Sequence, residues 1–254
     1  MRHFHRKSAP FATVSWPAAV ATCLLAALPC ARAATCGGAV GVTSDNVYRG
    51  ISLTDARPSA LVDVHCAFGD GWIAGAGISS VHLPGRSRNA QLGFYLDRRW
   101  QLDDDWSAKL GAVHYDAFRH GRADGLRYDE VNAVLGYRGS WRATLAWSPN
   151  ATDMYFGGSG KAHRTVWAET TYHRPLVDRL SVDVGVGIAA PGGWGQRSYR
   201  YGSVGASYGI GSVYFYASRI WTDSLTWSYR YLGDPFTATL PSQSRWVGSV
   251  VWSF

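Results

Sequence analysis

From residue 39 onward the sequence falls into about twelve segments of roughly ten residues, and the connections between these segments alternate in length. Short connections such as 69–71 and 138–140 follow the even-numbered segments, whereas longer ones, up to 223–244, follow the odd-numbered segments. Strands that run up and down a membrane barrel produce this alternation, because one end carries tight turns and the other carries loops. A Greek-key sandwich has no reason to alternate in this way.

The residues within the segments also favour a barrel. In segment 180–189, Leu, Val and Ile alternate with Ser, Asp, Gly and Ala, so one face is apolar and the other is small or polar. Large aromatic residues, among them Trp72, Trp106 and Trp141, lie beside the short connections, where a membrane barrel has an interfacial girdle. We therefore predict an all-β fold, an up-and-down antiparallel transmembrane β-barrel of about 12 strands. The segments cover residues 39–48, 59–68, 72–81, 90–100, 106–117, 128–137, 141–149, 163–174, 180–189, 199–208, 212–222 and 245–254.

The first 33 residues have the three parts of a secretory signal peptide. Arg2, Arg6 and Lys7 form a basic start, residues 17–31 are uncharged and mostly apolar, and residues 31–33 read Ala-Arg-Ala. The apolar run is shorter than the roughly 20 residues that a membrane-spanning helix needs. We predict that residues 1–33 are a cleaved signal peptide and that residues 34–254 form the outer-membrane barrel domain.

Removing the signal peptide changes the charge of the chain. The whole sequence has 25 basic and 18 acidic residues, and four of the basic ones lie in the first 33 positions, which leaves 21 against 18. The high overall pI therefore gives no support to a nucleic-acid partner, since most of the excess charge leaves with the signal.

Two cysteines, Cys36 and Cys66, remain in the exported chain. An oxidising compartment favours a disulfide between them. Antiparallel pairing of the first two segments brings both cysteines to the end that carries the short turns. We predict a Cys36–Cys66 disulfide there.

The last segment ends at an aromatic residue. Trp252 and Phe254 share one face with Trp246 and Val250, and the sequence stops at Phe254. A final amphipathic strand that ends in Phe resembles the signal by which bacterial outer-membrane barrels are recognised for insertion. We therefore expect a location in the cell outer membrane of a Gram-negative bacterium, with outer-membrane lipid and the outer-membrane assembly machinery as partners.

The predicted alternation points a set of charged side chains into the lumen. Charges of both signs inside a barrel can line a pore and set its ion preference, or they can pair and fill the interior. Twelve strands lie between the eight that enclose only side chains and the sixteen that form an open channel, so both outcomes stay open. The candidates are Arg49 at the mouth of the lumen, with Asp63, Asp97, Lys109, Glu130, Arg142, Glu169 and Asp183 along it.

Three stretches resemble the proteobacterial Gcw_chp family, also called the TorF family of porins. They are SDNVYRGISLTDARPSA (44–60), DDDWSAKLGAVHYD (103–116) and YDEVNAVLGYRGSWRATLAWSPN (128–150). The first is similar to the opening pattern of the family, although Val47 stands where members usually carry an aromatic residue. The resemblance implies an outer-membrane β-barrel with a porin function, and it implies no catalytic residues.

The sequence predicts a channel for the passive passage of small polar solutes or ions, with no chemical step, no metal and no cofactor. One alternative is an outer-membrane barrel enzyme acting on lipids, for which Ser148, Ser159 and His163 lie near one loop without a distinctive spacing. The other alternative is a structural or adhesive barrel with no open pore.

Arg49 follows the first predicted strand and begins its connecting loop. It can act as a charge at the pore mouth, or it can be clamped by a carboxylate such as Asp45 or Asp63 and shape the loop. We favour the clamp, because Gly50 and Pro58 indicate a loop with a defined path.

Overall fold

The structure is a computed structural model that describes residues 34–82, 89–119, 122–123, 127–152, 162–192, 197–231 and 234–254. The predicted signal peptide lies outside this part of the chain. The strands, in chain order, are β1 (Thr35–Thr43), β2 (Val47–Tyr48), β3 (Ile51–Ser52), β4 (Ser59–Phe68), β5 (Trp72–Val81), β6 (Asn89–Gln101), β7 (Trp106–Arg119), β8 (Arg122–Ala123), β9 (Tyr128–Tyr137), β10 (Trp141–Thr152), β11 (Ala162–Val177), β12 (Leu180–Pro191), β13 (Tyr199–Ile210), β14 (Val213–Thr222), β15 (Leu225–Tyr231), β16 (Asp234–Leu240) and β17 (Gln243–Ser253).

Within the described residues, twelve long strands form a closed antiparallel barrel. Each pairs with its neighbour along the chain, and β1 pairs with β4 on one side and with β17 on the other, so that the sheet has no free edge. The prediction of an up-and-down barrel of about twelve strands is confirmed. The described part of the chain contains no helix long and apolar enough to cross a membrane.

The first strand was predicted to reach Tyr48, and this boundary is wrong. β1 ends at Thr43, and the chain then turns to form the small hairpin β2–β3. The Thr43 hydroxyl donates to the carbonyl of Asp45, which closes a local turn and ends the strand. A second short hairpin, β15–β16, lies within the long connection predicted over 223–244.

The two ends of the barrel differ. One end, the turn end, carries the connections 69–71, 102–105, 138–140, 178–179 and 211–212. Non-glycine residues with positive φ, Arg138 and Arg179, allow two of these connections to be this short. The opposite end, the loop end, carries the longer connections, including the one that contains β2–β3.

Along each strand, side chains alternate between the outer face and the lumen. On β12, Val184, Val186 and Ile188 are exposed on the outer face, whereas Ala189 faces inward and is buried. Trp72, Trp100, Trp106, Trp141 and Tyr208 are exposed at the turn end, which forms the predicted aromatic girdle. Exposed apolar side chains on this scale are typical of a surface that faces lipid. On β17, the exposed face carries Trp246, Val250, Trp252 and, just after the strand, Phe254.

Cys36 and Cys66 stand directly opposite each other in the β1–β4 register, near the turn end. A disulfide bond joins them. The bond ties the first strand of the barrel to the second, and β17 covers the other side of β1.

The outer face provides a test of the membrane interpretation. Leu145 and Leu176 are equally exposed leucines, 56% and 54%, but Leu145 lies midway along β10, and Leu176 lies beyond the girdle, beside a turn. We expect Leu145→Arg to lower the unfolding free energy in lipid vesicles by about 2–4 kcal/mol, because it places a charge in hydrocarbon. Leu176→Arg is the control and should have little effect. Urea unfolding of both refolded variants measures this, and equal tolerance would contradict a lipid-facing surface.

Candidate functional site

The β2–β3 hairpin folds into the lumen from the loop end. Val47 pairs with Ser52 and Tyr48 with Ile51, so Arg49 and Gly50 form a two-residue turn. Both turn residues have positive φ, 49° and 81°, as hairpins with this tight turn require. Glycine adopts this conformation readily, but arginine does so at a cost. The contacts that Arg49 makes must therefore offset its backbone strain.

Asp45 fixes the base of the hairpin. Its carboxylate accepts hydrogen bonds from the hydroxyls of Ser52, at 2.5 Å, and Thr54, at 2.8 Å, and from the guanidinium of Arg245 on β17, at 2.8 Å. Asp45 is only 4% exposed. Since three donors satisfy this buried carboxylate, the hairpin leaves the barrel wall along a defined direction.

The tip of the hairpin carries a buried ion pair. The two terminal nitrogens of Arg49 donate to the two carboxylate oxygens of Glu130 on β9, at 2.7 and 2.9 Å. The Tyr48 hydroxyl donates to the same carboxylate at 3.1 Å. The side chains of Arg49 and Glu130 are 11% and 3% exposed. A bidentate pair shielded from water in this way depends strongly on both partners.

Two aromatic rings lie against the guanidinium of Arg49, and two more pack behind Tyr48. Its central carbon lies 4.2 Å from the ring centre of Trp167 on β11 and 4.7 Å from that of Tyr48. Tyr115 and Tyr128 stack on each other at 4.6 Å, and Tyr115 meets Tyr48 edge to face at 6.3 Å. Burial acts to lower the pKa of Arg49, but Tyr48 and Glu130 outweigh it and raise the pKa above its ordinary value. The guanidinium therefore stays charged.

Gly50 packs against the opposite part of the wall. The Thr222 hydroxyl on β14 donates to the Gly50 carbonyl at 2.5 Å. A Cβ atom at position 50 would lie 2.5 Å from the Thr222 hydroxyl and 2.5 Å from Cβ of Tyr201 on β13. Ile51 packs against the buried cluster that includes Trp167 and Tyr201. The hairpin thus contacts strands on several sides of the barrel and constricts the lumen at the loop end.

The half of the lumen nearer the turn end is polar. Asp63 accepts from Tyr95 at 3.0 Å, and Lys109 donates to Asp97 at 3.0 Å. His173 lies 2.7 Å from Asp183. A cavity of about 500 Å³ opens there, and its lining includes His173, Asp183, Ser207, Tyr214 and Tyr216.

Seven of the eight charged residues predicted to line the lumen lie on the inner face of the barrel strands, and Arg49 lies on the hairpin inside the lumen; together they form several separate groups. Arg49 and Glu130 meet at the hairpin, Lys109 meets Asp97, and Glu169 accepts from Tyr201 at 3.0 Å. Asp63 and Asp183 each contact a histidine, and Arg142 lies on the lumen side of β10.

The two carboxylates suggested as partners of Arg49 are the wrong ones. Asp45 binds Arg245, and Asp63 binds Tyr95 and His65. The error follows from the boundary of the first strand: once the chain turns inward after Thr43, Arg49 reaches across the lumen to β9. Tyr48, Trp167 and Thr222 are further residues of the site that the sequence interpretation did not select. Tyr48 adjoins Arg49 in the Tyr-Arg-Gly triplet, which was the available signal.

Ser148, one of the residues considered for lipid hydrolysis, does not face the lipid. Ser148 is buried on the lumen side of β10 and its hydroxyl accepts from the Asn150 backbone, while Ser159 lies outside the described residues. Among the described residues, no group of three or more His, Cys, Asp or Glu side chains could hold a metal ion.

Comparison with solved structures agrees with the barrel architecture. The NanC porin matches with a TM-score of 0.54 and 10% sequence identity, over 86% of this chain and 99% of the NanC chain. The chain has the fold of a porin barrel. The KdgM porin matches with a TM-score of 0.49 and 9% identity, over 87% of this chain and 99% of the KdgM chain. No protein-family model and no curated protein matches the sequence.

The ion pair at the hairpin tip is expected to contribute strongly to stability. Arg49→Gln or Glu130→Gln leaves a buried charge without its partner, which should cost about 3–5 kcal/mol of unfolding free energy. The double variant should cost less than the sum of the two single variants. Arg138→Gln is the control, because Arg138 and Asp105 form an exposed pair in a turn. Urea unfolding in vesicles measures all four variants, and additive effects would contradict the coupling.

Proposed function

We propose that the chain is an outer-membrane channel for the passive passage of small polar solutes or ions, and that the β2–β3 hairpin constricts it. The observation that carries the proposal is the contrast between the two faces of the barrel. The outer face is apolar with an aromatic girdle, whereas the lumen carries paired charges, tyrosines and a polar cavity.

A location in the outer membrane is part of the proposal. It is supported by the predicted signal peptide and by the outward face of β17, where Trp252 and Phe254 give the assembly machinery an aromatic C-terminal strand. Outer-membrane barrels have their tight turns on the periplasmic side, so the turn end faces the periplasm and the loop end faces the exterior. The hairpin then lies at the outer entrance, and outer-membrane lipid surrounds the apolar face.

Membership in the Gcw_chp family is also proposed, and it rests on the motif alone. The stretch from Ser44 to Ala60 has a structural role that explains its composition. Arg49 and Gly50 form the hairpin turn, and Ser52 and Thr54 bind Asp45 at its base. These contacts give the residues of the motif a specific role in placing the hairpin.

The constriction differs from a permanent plug in how it is attached. Beyond its covalent ends, the hairpin is held by non-covalent contacts: the polar contacts of Asp45, Tyr48, Arg49 and Gly50, the ring contacts of Tyr48 and Arg49, and the packing of Ile51. The turn-end half of the lumen contains a cavity. No second segment of the described residues is inserted there. We propose that solutes pass through the lumen after a local movement of the hairpin.

Gly50→Ala tests the constriction with a matched control. The added methyl group collides with Thr222 and Tyr201, so we expect the hairpin to leave its docked position and the single-channel conductance to rise about two-fold or more. Gly139 also has positive φ, 64°, but no atom lies within 4 Å of a Cβ there. Gly139→Ala should therefore have the same kind of backbone strain and an unchanged conductance.

Planar-bilayer recording of the refolded proteins distinguishes the candidate functions. Discrete conductance steps in the unmodified protein, enlarged by Gly50→Ala alone, support the constricted channel. Absence of conductance in every variant would overturn it and leave a structural barrel. An equal effect of both alanine substitutions would show that backbone strain, not docking of the hairpin, sets the conductance.

A further inference from the structure

The group that surrounds Arg49 has the composition of a binding site for an organic cation. We propose that Glu130 and Trp167, with the stacked rings of Tyr115 and Tyr128 behind Tyr48, form a cation cage for solutes that carry a guanidinium or alkylammonium group, and that Arg49 occupies this cage as an internal ligand. The inference rests on the proposed channel function and names the class of solute that the channel favours.

The groups that contact the guanidinium suit a cation. Glu130 presents both carboxylate oxygens to two guanidinium nitrogens, at 2.7 and 2.9 Å. The ring of Trp167 lies against the guanidinium at 4.2 Å, within the range of a cation–π contact. A carboxylate and an electron-rich aromatic face together favour an organic cation, and they repel an anion.

The residues of the cage belong to the barrel wall and not to the hairpin. Glu130 lies on β9, Trp167 on β11, Tyr115 on β7 and Tyr128 on β9, all of which are strands of the barrel wall. Among the contacts described above, only Tyr48 and Arg49 arrive with the hairpin. The cage therefore stays in place when the hairpin moves, and an external cation can take the position of the guanidinium.

The buried carboxylate of Glu130 needs a cationic partner. Glu130 is 3% exposed, and a carboxylate at that depth without a partner is strongly unfavourable. Departure of Arg49 is thus costly in plain water, and a solute cation that fills the cage removes much of this cost. Binding and hairpin release become coupled, because the cation binds the released state and not the docked one.

Chemical rescue tests the cage directly. In Arg49→Ala the guanidinium is absent, so millimolar ethylguanidinium should raise the thermal midpoint of the refolded barrel by a few degrees and change its tryptophan fluorescence, to which Trp167 contributes. Neutral ethylurea of the same shape should do neither. The double variant Arg49→Ala, Glu130→Gln keeps the rings but lacks the carboxylate, and it should not respond to ethylguanidinium. Equal responses to ethylguanidinium and ethylurea, or no response, would overturn the cage.

Recording on the unmodified protein tests the coupling without any substitution. L-arginine, added at millimolar concentration, should increase the open time or conductance about two-fold or more, whereas neutral L-citrulline should have no effect. Ethylguanidinium can stabilise Arg49→Ala while arginine has no effect on the unmodified channel. That result would support the cation site but overturn its coupling to channel opening. Clear conductance with neither response would overturn the inference but leave the channel function in place. Absence of conductance would count against the channel function itself.

Discussion

The ion pair between Arg49 and Glu130 is the interaction on which the interior of this barrel depends. Twelve strands enclose a lumen wider than that of an eight-stranded barrel, which side chains fill, and narrower than that of an open sixteen-stranded channel. A loop that enters this space must bring polar backbone and charge into a confined region, where each group needs a partner. Arg49 meets that requirement for the hairpin tip, and it does so for Glu130 at the same time.

The contacts around the ion pair explain why the hairpin takes one position. Asp45 holds its base, and the positive φ values at Arg49 and Gly50 set the turn. Gly50 approaches Thr222 so closely that no side chain fits at position 50. These contacts come from residues far apart in the sequence, such as Thr222, which lies 172 positions after Gly50. The constriction is therefore a property of the closed barrel and cannot form from the loop alone.

Much of the barrel was accessible from the sequence because its signals are local. Strand length, alternation and turn length each depend on neighbouring residues, so the wall from β4 to β14 could be placed with small errors at the ends. The lumen-facing side of Asp97 or Glu169 followed from the same alternation. The partner of Arg49 did not follow, because pairing across the lumen depends on where the loop goes after Thr43.

The aromatic cage illustrates the same limit. Trp167 is one of many tryptophans in the chain, and its alternation marks it as inward-facing but says nothing about Arg49. The meeting of the two requires the hairpin to enter the lumen at a particular depth. The sequence singled out Arg49 as a charge at the pore mouth or a clamp of its loop, and only the three-dimensional arrangement connects it with Glu130 on the wall.

The most direct test of the account is the conductance of a barrel that lacks the hairpin. Leu53 donates its backbone N–H to the Asn46 carbonyl at 2.6 Å. Two glycines in place of residues 47–52 can therefore join Asn46 to Leu53 in a tight turn that keeps this hydrogen bond. We predict that this variant forms discrete channels with a conductance several-fold higher than that of the unmodified protein in the same bilayer. If the conductance is unchanged, the hairpin is not what narrows the lumen.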